Sequence, residues 1–212
     1  MDHEQRTKAT NQQDPKWAAK VVRNIGQIEA DFFHAAGPVS ERIMAEAFMA
    51  LQKAVTPPWE LIENEWATQV VCPDWKMARG VGVGDAWLEV AEISADEEGY
   101  EHTWLAAMAQ TGPTLLGVQL MFRRGLMDHA ETILRDDKAV AALWEKGWAR
   151  DEASGALFVP IFCPAEKIAQ GFEQNDLTAA VAPFGKAMAD ALGSKTELDK
   201  LLAKVRAAAK PK

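Results

Sequence analysis

Asp85, Glu89 and Glu101 are the residues whose type and placement best suit chemistry. They fall in short, strand-like runs, and carboxylates on neighbouring strands can converge on a divalent cation, because hard cations take oxygen ligands. They belong to a wider asymmetry. From Val81 to Phe122 the chain carries seven acids (Asp85, Glu89, Glu92, Asp96, Glu97, Glu98 and Glu101) and no Lys or Arg. Like charges across a sheet repel, so these acids must be held apart, hydrated, or neutralised by a cation, a basic partner or the chain's own basic ends.

Strand alternation limits which of them can act together. Trp87, Glu89 and Ala91 share one face of a strand, and Leu88, Val90 and Glu92 the other. Glu89 and Glu92 therefore cannot serve one site without a bulge. Nuclease-like chemistry would place a lysine two residues beyond a strand-borne acid to assist the attacking water. After Glu89, Glu92 and Glu101 stand Ala91, Ser94 and Thr103 instead. Lys76, in Pro73-Asp74-Trp75-Lys76, is the basic residue close by.

Several other chemistries are excluded. His3, His34, His102 and His129 lie outside metal-ligand spacing of one another, and two cysteines are too few for a zinc site. His102 adjoins Glu101, but neighbouring strand residues point to opposite faces. Ser40, Ser94, Ser154 and Ser194 are the only serines, and none sits in G-x-S-x-G. The Gly80-Val-Gly-Val-Gly84-Asp85 stretch leads into a strand rather than a helix, and Asp85 would repel a phosphate, so it reads as a turn. Cys72 and Cys163 each close an apolar run before a proline and read as buried structural thiols. Of the eight tryptophans, set against one tyrosine, most read as core. Trp87 is expected to be exposed beside the acids.

The elements that would position these groups follow from periodicity. Asp14-Pro15 signals a helix start, and Trp17, Val21, Ile25, Ile28, Phe32 and Phe33 recur at helical spacing. Gly37-Pro38 reads as a break and Ser40 to Leu51 as a second helix, which together predict a helical hairpin. Val70-Val71, Ala86 to Ser94, Glu101 to Met108 and Leu115 to Phe122 predict an antiparallel meander. Helices are predicted over Asp128 to Lys146 with a break near Asp136, Ala165 to Phe172, Leu177 to Leu192 and Thr196 to Ala208, with a hairpin over Trp148 to Phe162 between the first two. The fold class is α+β: an antiparallel sheet meander flanked by an N-terminal helical hairpin and C-terminal helices. Residues 1–14 read as a disordered leader, 15–208 as a single domain and 209–212 as a mobile tail.

The net charge of −8 argues against unselective nucleic-acid binding, and no apolar run reaches membrane-span length. The last 27 residues reverse the sign, with seven Lys or Arg against three acids. A basic tail and an acidic middle attract, within one chain or between copies. Two functional expectations result. The first is a non-catalytic cytoplasmic binding or accessory protein whose acidic, Trp-containing sheet surface (Trp87, Glu89, Glu101) engages a basic protein partner, with a second copy of this chain among the candidates. Nucleic acid would be reached only through the basic C-terminal helix, and no cofactor is expected. The second is a metal-dependent hydrolase, nuclease-like, in which Asp85, Glu89 and Glu101 hold a divalent cation and Lys76 assists.

Overall fold

A computed structural model describes residues 15–63, 68–75, 84–93, 103–112 and 114–209. The expected leader 1–14 lies outside the described residues, as do Lys76, Glu101, His102 and the last three residues of the tail.

The N-terminal region differs from the expected hairpin. Helices α1 (Pro15–Arg23), α2 (Ile25–His34) and α3 (Ser40–Ala54) follow one another with only a ripple at Asn24 and a π turn over Ala35–Val39. Proline inside an α-helix removes a hydrogen bond and drives its ring into the carbonyl four residues back. A π turn widens the coil and makes room for Pro38, so the chain stays helical instead of reversing. Ser40 Oγ donates to the Ala35 carbonyl and satisfies one acceptor at this irregular turn. Only α3 enters the core, through Ile43, Ala47 and Leu51.

The meander is present, and the sheet is larger than expected. Strands β1 (Glu60–Glu63), β2 (Thr68–Val71), β3 (Ala86–Ile93) and β4 (Leu115–Phe122) pair antiparallel in sequence order. A later hairpin of β5 (Ala149–Arg150) and β6 (Leu157–Ile161) adds β6 against β4, giving the order β1-β2-β3-β4-β6-β5. The expected strand over Glu101 to Met108 is corrected: Trp104–Met108 is a short helix, α4. Leu, Ala and Met favour helix over strand, and Thr103 caps it by accepting from the Ala106 N–H. Strand β1, with only four residues, gave no periodic signal.

One sheet face is the core face. By register Leu88, Leu116, Val118, Leu120, Val159 and Ile161 share it, and all are buried. Gly117, on the opposite face, is required by packing, since a Cβ there would lie 2.6 Å from Phe158 Cδ2. The C-terminal half supplies helices α5 (Met127–Leu134), α6 (Asp137–Trp144), α7 (Ala165–Glu173), α8 (Thr178–Leu192) and α9 (Lys195–Ala208). The break between α5 and α6 is real, with Asp136 capping α6. Leu198, Leu201, Leu202 and Val205 of α9 are all buried in the same cluster as α3, α8 and the sheet. No helix among the described residues is long and apolar enough to cross a membrane.

Candidate functional site

The three candidate carboxylates meet different fates. Asp85 follows Gly84, whose φ of 135° is open to glycine and strained for other residues. This turn lets the Asp85 N–H donate to the Trp75 carbonyl at 2.8 Å, while the Asp85 carbonyl accepts from the Arg123 N–H at the end of β4. Its side chain is then clasped from two sides. Arg123 Nε donates to Oδ1 at 2.5 Å, and Arg206 Nε, from α9, donates to Oδ2 at 2.7 Å. Arg206 Nη2 also donates to the Trp75 carbonyl. Burial pushes the Asp85 carboxyl up, but the hydrogen bonds and charges of the two arginines outweigh it and hold the carboxyl below the usual range.

A second set of contacts fastens the opposite, N-terminal end of α9. Trp75 stands edge-on to Trp59 with ring centres 4.9 Å apart, and its indole N–H donates to Asp199 at 2.7 Å. Lys195 Nζ donates to Asp199 at 2.8 Å and to Asp74 at 3.1 Å. The Asp199 hydrogen bond raises the Lys195 pKa most, desolvation opposes it, and the Asp74 bond adds to it. The attraction between acidic middle and basic tail is thus present within one chain.

Glu89 lies on β3 with Trp87, on the face that alternation assigns. Its Oε2 accepts from Trp87 Nε1 at 2.8 Å and from Gln69 Nε2 of β2 at 3.1 Å. Trp87 is half-buried rather than fully exposed. Glu92 is exposed on the other face, while Glu101 and Lys76 fall outside the described residues. A cation at Asp85 would have to displace two guanidinium groups. Among the described residues no three His, Cys, Asp or Glu side chains are grouped to hold a metal. Both cysteines are free and buried; burial raises the Cys72 thiol and pushes Cys163 up to about 11.

Two open grooves accompany these features. One, of about 560 Å³, is lined by Asp137, Lys138, Trp144, Arg150 and Glu152, with the Arg150 guanidinium over the Trp144 ring. The other, of about 420 Å³, has Phe162, Lys167, Pro183 and Lys186 among its lining. Charged side chains that line them are paired with one another, Arg150 with Asp137 in the first and Lys186 with Asp190 in the second.

The largest departure from the sequence expectation lies in α1 and α2. These helices have no buried residue, although they carry an apolar stripe at helical spacing and were expected to pack as half of a hairpin. Trp17 is 65% exposed, Val22 71%, Phe33 68%, and Ile25, Ile28 and Phe32 between 44% and 48%. Contiguous exposed apolar surface of this kind marks an interaction site. The helical period was legible, and the exposure was missed because it depends on Gly37-Pro38 failing to reverse the chain. Arg123 and Arg206, the partners of Asp85, were also missed as a pair. The one available signal was charge, since Arg123 is the first basic residue after the acid-only segment and Arg206 belongs to the basic tail. Comparison with protein-family models, with curated protein sequences and with solved structures returned no match.

Proposed function

We propose that this chain is a non-catalytic binding or accessory protein that engages its partner through the exposed apolar face of α1 and α2. The observation that carries this reading is a helical arm of 20 residues, 15–34, in which six large apolar side chains are exposed and none is buried. A soluble chain that exposes such a stripe gains free energy by covering it, at ~25 cal/mol for each Å² of apolar surface removed from water. The sheet surface over Trp87 and Glu89 is the weaker candidate for meeting a basic partner. Glu89 already accepts two N–H donors and Asp85 two guanidinium groups, so their charge is largely spent inside the fold. The metal-dependent alternative loses support on the same contacts.

The test is capture with the full chain and with an Ile25→Asp, Phe32→Asp variant. Partners retained by the native chain and lost by the variant support the reading, and identical sets overturn it. A thermal shift with millimolar Mg²⁺ or Mn²⁺ that disappears in Glu89→Gln would move the function to the hydrolase.

A further inference from the structure

We infer that the partner of the helical arm is a second copy of this chain, with the two arms packed antiparallel about a two-fold axis near Ile25. This rests on the arm being a docking surface. It goes further by naming the occupant and its direction.

Spacing is the first argument. Ala18, Val21, Ile25, Ile28 and Phe32 follow a 3-4-3-4 pattern, the seam with which one helix interlocks with another of the same kind. Size is the second. On or beside this seam Trp17, Ile25, Ile28 and Phe32, 44% to 65% exposed, present on the order of 400 Å² of apolar surface, at ~100 Å² each. A standard interface buries roughly 800 Å² per partner. The stripe with its polar flanks therefore suits one helix of equal length.

Charge is the third argument, and it sets the direction. The first half of the arm carries Lys16, Lys20 and Arg23, and the second half Glu29 and Asp31. A parallel pair would set like charge on like, while an antiparallel pair sets the basic half of each copy on the acidic half of the other. Lys20 and Asp31 are eleven residues apart, three helical turns, and so lie on the same flank of the stripe. Their midpoint falls between Ile25 and Gly26, so rotation about that point brings Lys20 of each copy beside Asp31 of the other. The acids that complete this pattern also disfavour an anionic lipid surface, which would repel Glu29 and Asp31.

Sedimentation equilibrium of the full chain at micromolar concentration tests the proposal. The expected mass is twice the 23.3 kDa of one chain. Ile25→Asp should give a monomer whose far-ultraviolet circular dichroism and melting of the body are unchanged, since residue 25 is 47% exposed on a helix with no buried residue. Lys20→Glu should weaken the dimer about tenfold, because an attractive pair becomes repulsive twice over. The double variant Lys20→Glu, Asp31→Lys should restore it. A native chain that stays monomeric overturns self-pairing, as does a dimer that survives Ile25→Asp or a double variant weaker than either single one. Binding of the monomer to phosphatidylserine vesicles would overturn it in favour of a lipid surface. If self-pairing fails while capture of another protein still depends on Ile25 and Phe32, the docking reading stands without it.

Discussion

Replacing Asp85 with Asn keeps the side-chain volume and one acceptor but removes the charge between Arg123 and Arg206. Each charge-assisted hydrogen bond contributes roughly 1.5–3 kcal/mol when formed in full. The Asp85 side chain is only 10% exposed, whereas those of Arg123 and Arg206 are 39% and 36% exposed. Both guanidinium groups can rehydrate once their partner is neutral, so only about half of the combined value is lost and the variant should be less stable by about 1.5–3 kcal/mol. For a chain of this length that is a fall in melting temperature of roughly 5–10 °C. The pH dependence provides a second check. The folded carboxyl is held below its ordinary value of about 3.9, so its stabilisation is present above that pH and disappears as pH falls through the folded value. Urea unfolding of native and variant chains should therefore show separated midpoints at neutral pH that converge on strong acidification. Equal midpoints at neutral pH, or a gap that widens in acid, would refute the clasp as a net stabilising contact.

Three further outcomes follow from packing and burial. Leu201→Asp places an unpaired charge at a site 1% exposed and should cost more than about 4 kcal/mol, seen as loss of the cooperative unfolding transition near room temperature. Gly117→Ala should cost about 1–3 kcal/mol, because its Cβ meets both Phe158 and the Val159 carbonyl; a Phe158→Leu change made together with it should recover part of that loss, read by the same melts. With burial pushing Cys163 up to about 11 and raising Cys72 as well, neither thiol should react with an aromatic disulfide reagent in the native chain, and both should react in urea.

The sequence was most legible where one period ran uninterrupted. Leu115 to Phe122, a short apolar run set off by Gly112-Pro113, is β4 over those same residues, while Leu198, Leu201, Leu202 and Val205 form the buried stripe of α9 that their spacing describes. Legibility failed where two physical effects compete over a few residues. Thr103 to Met108 is apolar enough for a strand, and a single capping hydroxyl with helix-favouring residues decides for α4. Gly37-Pro38 is as good a turn signal as the chain contains, yet room for one extra residue in the coil keeps it helical. That choice then decides whether the stripe of α1 and α2 folds back on α3 or stands clear, with no change in its periodicity. The Asp85 clasp was illegible for another reason. Its partners lie 38 and 121 residues away, and no local pattern pairs a carboxylate with an arginine at that range.

The π turn over Ala35–Val39 also acts as an angular setting. A π turn links each residue to the fifth one along rather than the fourth, so it holds one residue more than the α turn it replaces. Replacing Pro38 with Ala removes the ring that demands the wide turn but keeps the surplus residue, so an unbroken α-helix from the arm into α3 takes that residue into its regular winding. Everything before the turn would then swing by about 100° around the common axis and advance by about 1.5 Å. The apolar stripe would keep its internal order while pointing to a different quarter of the body. One residue thus sets the compass bearing of the arm, and in a two-fold assembly the two bodies would change their mutual twist by about twice that angle.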